Sequence, residues 1–305
     1  MYRDTYFIIG FTTGVVVSSY LFALLYVQTR KPSRTNGHAS THDRVQTVAE
    51  KLGQQFNVST KTLQSLTMHL VQEYRKGLAY PNQTLKMLPS FVTKMPQGTE
   101  VATVLALDMG GSNFRVLLVH FEGAGRIRTK QRKFTLTDDL KCVQGVDLFD
   151  FFAECIAGFL KDEGLPTGPH KLGFTFSFPV LQKSINSGTL ITWAKGFANN
   201  GVIDRDVVEL LSDALKRKSL DIKVSALVND TVGTLVTHAY KDPQTYVGVI
   251  LGTGTNAAYV EKAANVAKWP LDSGDIIINT EWGAYNDLSV LPLNKYDKML
   301  GIYID

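Results

Sequence analysis

The sequence has very few cysteines, and this excludes two classes of protein. Cys142 and Cys155 are its two cysteines among 305 residues, which is too few for the disulfide framework of a small secreted domain. Neither has the cysteine or histidine neighbours at the spacing that a zinc site requires. This cysteine content suits a reducing compartment.

Strong charge of one sign is also absent. The formal net charge is +4, and no basic stripe is interleaved with aromatic residues, which argues against nucleic acid as a partner. Hydrophobic residues make up 44% of the chain and charged residues 20%. That balance, at this length, predicts a folded body of one large domain or two ordinary ones.

One long uncharged run stands near the start of the chain. Residues 7–27 read FIIGFTTGVVVSSYLFALLYV, which is long enough for a helix of about 20 residues to cross a bilayer. A cleaved signal peptide has a shorter apolar core, and a buried core helix is disfavoured by the polar stretch that follows. We therefore expect residues 1–29 to form a transmembrane anchor and residues 30–44 a flexible linker.

The basic residues of that linker predict the orientation of the anchor. Arg30, Lys31 and Arg34 follow the apolar run, whereas Arg3 and Asp4 offset each other before it. The positive-inside rule then places the body of the protein in the cytosol. A short N-terminal anchor of this kind suits the mitochondrial outer membrane or the endoplasmic reticulum.

The body of the chain has the alternating pattern of an α/β protein. Apolar residues fall at helical spacing over residues 45–80, three short strands follow over residues 101–136, and a helix is predicted over residues 146–160. A further helix is predicted over residues 204–220, capped by Asp204.

The most informative stretch is a strand–turn–strand motif. Residues 105–119 read LALDMGGSNFRVLLV, and the two glycines leave the backbone of the turn open to a bulky anion. Ser112 and Asn113 add short polar groups that bind an anion or close the turn. No Gly-Lys-Ser/Thr follows, so this is not a Walker A loop. An ordinary hairpin with a Gly-Gly turn is the alternative.

A second unit repeats this arrangement near the end of the chain. Residues 246–261, YVGVILGTGTNAAYVE, again place a turn rich in glycine and threonine between apolar strands. Two such units could clamp two sides of one polyphosphate. Between them, Asp230 follows a buried strand and precedes a short helix, a position where aspartate commonly caps the helix. Capping and catalysis both stay open for Asp230 on these residues alone.

Taken in order, these segments resemble the hexokinase and glucokinase family of eukaryotic sugar kinases, within the actin-like ATPase superfamily. The motifs are LDMGGSNFRV (residues 107–116), GFTFSFPVLQ (173–182), TWAKGF (192–197), LVNDTVGT (227–234), GVILGTGTNAAY (248–259) and NTEWGAY (279–285). The resemblance implies an α/β, actin-like (ribonuclease H-like) two-domain sugar kinase fold. Residues 45–240 would form its N-terminal domain and residues 241–305 the beginning of its large domain.

The family also implies an activity and a set of site residues. The activity is ATP-dependent phosphorylation of a hexose, glucose first, at the C6 hydroxyl, which is the first step of glycolysis. Asp230 matches the catalytic carboxylate, the general base. The positions that match sugar contacts are Ser177, Lys195, Asn229, Asn256 and Glu281. The positions that match the two phosphate turns are Asp108, Gly110, Gly111, Ser112, Asn113, Gly252, Thr253, Gly254 and Thr255, and Lys133 falls near a lysine that some relatives use toward ATP. Asp108 would also help to hold Mg²⁺ through water.

The sequence departs from the family pattern in three places. Ala194 stands where a threonine is usual, which removes a hydroxyl beside the sugar, worth about 0.5–1.5 kcal/mol if it made a hydrogen bond. Ser112 replaces a commoner threonine but keeps the hydroxyl. Family members continue well beyond residue 305, so we expect an incomplete second domain and exposed apolar surface on the strand at residues 247–251. A non-catalytic sugar sensor and an N-acetylglucosamine kinase therefore remain alternatives.

Overall fold

The structure is a computed structural model, and it describes residues 41–252, 254–270 and 273–301. The predicted transmembrane anchor and most of the predicted linker lie outside these ranges, as does Thr253. Within the described ranges, no helix has the length and apolar character needed to span a membrane.

The described chain is divided into two compact units. The smaller unit takes in residues up to Met68 and from Asp287 onward, and the larger one is His69–Asn286. Helix α1 (Thr41–Phe56), the first part of α2 (Thr60–Ala79) and α6 (Lys295–Gly301) belong to the smaller unit. The two long helices confirm the helical pattern predicted over residues 45–80.

A five-stranded sheet lies at the centre of the larger unit. Its strands are β2 (Val101–Met109), β3 (Asn113–Glu122), β4 (Ile127–Thr135), β5 (His170–Phe176) and β8 (Ile222–Val228), in the order β4-β3-β2-β5-β8. The first three form the predicted antiparallel meander, whereas β5 runs parallel to both β2 and β8. The carboxyl ends of the three parallel strands therefore meet at one edge, where open α/β sheets bind ligands.

Two helices pack on each other and on this sheet. Helix α3 (Gly145–Asp162) buries apolar residues at helical spacing, and α4 (Val207–Arg217) contacts both α3 and β8. Phe114 of β3 stacks on Phe152 of α3, with ring centroids 4.4 Å apart and planes 13° from parallel. Both rings are fully buried, and this stack fixes how the helix lies against the strand.

The start of α4 corrects one prediction. Its cap is Asp206, whose Oδ1 accepts from the Val208 N–H at 2.8 Å. Asp204 instead lies in the loop with a left-handed φ of 62°. The helix was therefore predicted at the right place in the chain, but its cap lies two residues later than predicted.

The edge strand β4 of this sheet is highly charged. Three of its cations form ion pairs, Arg128 with Glu122, Lys130 with Glu163 and Arg132 with Asp162. These pairs connect β4 to the last residue of β3 and to the C-terminal end of α3.

A second, four-stranded antiparallel sheet has the order β1-β11-β10-β9. Its strands are β1 (Leu88–Pro89), β9 (Val247–Leu251), β10 (Thr255–Lys262) and β11 (Asp275–Asn279), while β6 (Val180–Ser184) and β7 (Ser187–Leu190) form a separate antiparallel pair. The β9–β10 hairpin is the second strand–turn–strand unit predicted from the sequence. On its edge, Val247, Val249 and Leu251 are 55%, 42% and 52% exposed.

Helix α5 (Asp230–Ala239) packs against this second sheet and also touches β5 of the first. Val232 and Leu235 of α5 cluster with Ala258 and Ile277. Gly248 permits the close approach, because a Cβ added there would lie 2.8 Å from the Leu235 backbone nitrogen. Since α5 begins at Asp230, the position of this helix sets where that carboxylate lies.

Candidate active site

Three of the predicted site segments meet at the carboxyl edge of the parallel strands. Asp108 is the last residue but one of β2, Ser177 follows β5, and the Asn229-Asp230 pair follows β8. The Ser177 N–H donates to the Met109 carbonyl at 3.1 Å, so the ends of β2 and β5 are tied together.

Asn229 and Asp230 form the N-terminus of α5. Asn229 is the helix cap, and its Oδ1 accepts from the Thr231 N–H at 2.9 Å. Asp230 is the first helical residue, and its Oδ1 also accepts from that N–H, at 2.9 Å. The capping role considered for Asp230 thus belongs to its neighbour, and the Asp230 carboxylate lies at the N-terminal end of the helix.

Lys195 reaches the same edge from a loop held in an unusual backbone conformation. Lys195 and Gly196 both have left-handed φ angles, 58° and 81°. The ammonium donates to the Ser177 carbonyl at 2.8 Å and lies 5.2 Å from the centre of the Phe178 ring. The base of the loop is closed by Trp193, whose Nε1 donates to the Asn199 carbonyl at 3.0 Å.

The first glycine-rich turn packs directly against this lysine. A Cβ added to Gly111 would lie 2.9 Å from the Lys195 Cδ and 3.2 Å from its Cβ. Gly111 is therefore needed for the lysine stem as well as for any anion above the turn. The turn itself is closed by the Gly110 N–H, which donates to the Asn113 carbonyl at 3.0 Å.

Asn256 lies on β10 and Glu281 follows β11, and a third residue joins them. Asn279 accepts a hydrogen bond from the Asn256 Nδ2 at 2.8 Å and donates one to the Glu281 Oε1 at 2.7 Å. Glu281 has a left-handed φ of 53°. Burial raises the pKa of its carboxyl, and the hydrogen bond from Asn279 partly offsets that rise.

A cavity of about 600 Å³ collects most of these groups. It is lined by Gly110, Gly111, Ser112, Asn113, Ser177, Lys195, Asn229, Asp230, Gly252, Gly254, Thr255, Asn256 and Glu281, together with Arg115 and Ala194. A neighbouring cavity of about 610 Å³ shares Asp230, Ser177 and Arg115 and is also lined by Asp108. The predicted sugar residues and both turns therefore face one space, and Asp230 lies where the two spaces meet.

The predicted residue Lys133 is not brought to either cavity. It lies on β4 opposite Arg115 of β3, which in turn lies opposite Asp108 of β2. The three side chains share one face of the sheet, because directly paired residues point the same way. Lys133 is thus two strands from Asp108. Thr253 belongs to the second turn but lies outside the described residues.

Asp108 has a partner that the sequence analysis did not name. The Arg115 Nη1 donates to the Asp108 Oδ2 at 2.5 Å. The two residues each lie two positions outside the four-residue turn 110–113 and pair directly across the hairpin, so the hairpin register alone contained the signal for this pair. Asn279 was also missed, although it ends β11 only two residues before Glu281.

A larger cavity, about 790 Å³, lies elsewhere in the larger unit and contains none of the predicted site residues. Its lining includes Trp269, Phe91 and Lys268. The Lys268 ammonium donates to the carbonyls of Gly77 and Lys86 at 2.6 and 2.5 Å, and burial lowers its pKa to about 8. That lysine holds the backbone around the cavity together.

The sequence matches two family profiles, both described as hexokinase, over residues 48–240 and 246–302. The chain belongs to the hexokinase family. Hexokinase-5 of rice is 41% identical over 268 residues, which cover 84% of this chain and 53% of the rice protein. The hexokinase of Kluyveromyces lactis is 39% identical over 282 residues, which cover 89% of this chain and 58% of the yeast protein.

Solved hexokinases confirm the α/β sugar kinase fold. The hexokinase of Schistosoma mansoni in complex with glucose superposes with a TM-score of 0.77 at 38% identity, over 84% of this chain and 60% of that one. A second hexokinase crystal structure gives a TM-score of 0.70 at 35% identity, over 85% and 60%. The present hexokinase chain spans about three fifths or less of the length of these relatives.

Proposed function

We propose that this hexokinase-family chain serves ATP-dependent phosphorylation of a hexose, glucose first, at the C6 hydroxyl. One observation carries the proposal: the Asp230 carboxylate lies where a cavity lined by amide, lysine and carboxylate groups meets two glycine-rich turns. The Schistosoma mansoni relative was solved with glucose. Amides and carboxylates pair with sugar hydroxyls, and a buried group left unpaired would reject a wrong ligand.

The chemistry asked of the protein is proton removal and positioning. Asp230 would take the proton of the C6 hydroxyl as that oxygen attacks the phosphoryl group, while the remaining residues hold the reactants in line. Asn229 has its Oδ1 committed to the helix, so its amide nitrogen is the group that it offers to the sugar. Lys195, whose ammonium donates to the Ser177 carbonyl, supplies positive charge to the same cavity.

The residues present also fit ATP and Mg²⁺. Ser112, Asn113 and Thr255 offer hydroxyl and amide groups to phosphate oxygens, and a Cβ added to Gly254 would meet no atom within 4 Å, so the second turn is open. Within the described ranges, no group of three or more His, Cys, Asp or Glu side chains could hold a metal by itself. This fits Mg²⁺, which uses one or two carboxylates, here Asp108, and otherwise waters and substrate phosphates. When bound, the magnesium nucleotide would supply the phosphoryl group.

A coupled assay tests the proposal. The full chain is incubated with ATP, Mg²⁺ and glucose, fructose, mannose or N-acetylglucosamine, and Asp230→Asn is the matched variant because it keeps the shape of the side chain. We expect hexose phosphorylation that falls by at least about a hundredfold in the variant. Equal turnover by both proteins would refute the role of Asp230. Sugar-dependent stabilisation without turnover would instead favour a sensor, and a preference for N-acetylglucosamine would implicate Ala194.

We further propose that residues 7–27 anchor the protein in a membrane, with the kinase body in the cytosol. The support is the length and uncharged character of this run and the basic residues after it. Carbonate extraction of membranes from cells that express the full chain should leave it in the pellet, and deletion of residues 1–29 should release it. Recovery of the full chain in the soluble fraction would contradict the proposal.

A further inference from the structure

Asn279 connects two of the proposed sugar-binding residues. It ends β11 and is only 5% exposed. Its amide nitrogen donates to Glu281 and its amide oxygen accepts from Asn256. We propose that Asn279 is a positioning residue of the sugar site, which fixes the direction in which Asn256 and Glu281 present hydrogen-bonding groups to a hexose. This inference rests on the proposed function.

The orientation of Asn256 follows from a count of its hydrogen bonds. Its Oδ1 accepts from the Ala257 N–H at 2.8 Å and from the Thr280 hydroxyl at 3.3 Å. Its Nδ2 carries two hydrogens, and one of them is donated to Asn279. The second has a long contact of 3.5 Å with the Glu281 Oε1. Asn256 therefore faces a ligand as a donor, which suits the oxygen of a sugar hydroxyl.

Glu281 depends on Asn279 for its charge state. An ionised carboxylate can only accept hydrogen bonds, so it binds the hydrogen of a sugar hydroxyl. Within the described part of the chain, no cation forms an ion pair with Glu281, and Lys86 and Lys195 favour its ionised form only from a distance, whereas Asp230 opposes it. The short bond from Asn279 is thus the main local interaction that offsets burial.

A matched pair of residues, Glu261 near the end of β10 and Asn265 just after it, lies away from the cavity. The Asn265 Nδ2 donates to the Glu261 Oε1 at 2.8 Å, nearly the same distance as between Asn279 and Glu281. Asn265 is exposed. A change at this pair reproduces the chemistry of the change at Asn279 without touching the proposed site.

The experiment compares Asn279→Asp, Asn279→Leu and Asn265→Asp in the full chain. Glucose affinity is measured by calorimetry from pH 5.5 to 9. We expect about tenfold weaker binding at pH 7 for both Asn279 variants, because a charged hydrogen bond is lost. Glucose affinity should fall at low pH as Glu281 takes up a proton, and we call this part of the pH profile the acid limb. The midpoint of the acid limb should move up by about one pH unit in Asn279→Asp, where two carboxylates share a site. Asn265→Asp should match the wild type.

A measurement without sugar separates this inference from the proposed function. The Glu281 carboxyl is titrated by carbon-13 NMR in the sugar-free protein, and its midpoint should rise in both Asn279 variants. Unchanged glucose affinity, acid limb and Glu281 midpoint in a folded Asn279→Asp protein would overturn this inference alone. Failure of the wild type to bind any hexose would overturn the proposed function together with the sugar role of Asn279.

Discussion

Alanine at Gly111 should weaken sugar binding by displacing Lys195. An added Cβ would lie 2.9 Å from the Lys195 Cδ, whereas ordinary van der Waals contact begins at 3.4 Å. The lysine stem must therefore move by about half an ångström. Gly111 does not have a left-handed φ, so alanine adds no backbone strain and the lysine contact dominates the effect.

The expected fall in glucose affinity follows from the hydrogen bonding of Lys195. Its ammonium, which donates to the Ser177 carbonyl at 2.8 Å, is also a proposed donor to the sugar, and hydrogen bonds of charged groups contribute about 1.5–3 kcal/mol. Loss of even the lower value predicts about tenfold weaker glucose binding. Because Lys195 is exposed, we expect a change in Tm of no more than about 2 °C.

Calorimetry with glucose and, separately, with Mg²⁺-ATP tests this prediction. Gly110→Ala is the matched control in the same turn, because its added Cβ would meet only the Asn113 carbonyl oxygen, at 3.4 Å. Glucose affinity should fall in Gly111→Ala and hold in Gly110→Ala. Unchanged glucose affinity in Gly111→Ala, with weaker nucleotide binding, would refute the reasoning.

Two further predictions concern stability. Phe152→Ala removes the ring stacked on Phe114 and should lower the free energy of unfolding in urea by about 3–5 kcal/mol; a loss below about 1 kcal/mol would mean that the core collapses onto the cavity. Burial lowers the Lys268 pKa to about 8 from 10.5, so the unfolded chain binds more protons between these values and stability should rise with pH there. Urea unfolding at pH 8 and 10 should show this rise in the wild type and less of it in Lys268→Met, and equal rises would contradict the assignment.

Much of the framework was predictable because it depends on local patterns. Strand–turn–strand units are set by apolar alternation around glycines, so both hairpins were found, and the motif order identified the Asn229-Asp230 pair. Helix caps were less predictable, because several polar residues near a helix start compete for the same N–H groups. Asp206 rather than Asp204 caps α4, and Asn229 rather than Asp230 caps α5.

Contacts between segments far apart in the chain could not be predicted from the sequence. Gly111 is adjacent to a loop more than eighty residues away, and no local pattern indicates that its missing side chain makes room for Lys195. The role of Asn279 likewise depends on β10 and β11 lying side by side, which brings Asn256 within reach. Lys133, predicted from similarity to a family position, lies two strands from Asp108 and does not line either cavity.

The two sheets differ in how their free edges meet solvent. β4 carries cations that are held in ion pairs, and such charges discourage another strand from adding to the edge. β9 carries Val247, Val249 and Leu251 on its exposed side, and apolar edge strands are templates for pairing between molecules. Self-association of concentrated protein should therefore begin at β9, and a lysine on that strand would be the simplest way to keep the protein monodisperse.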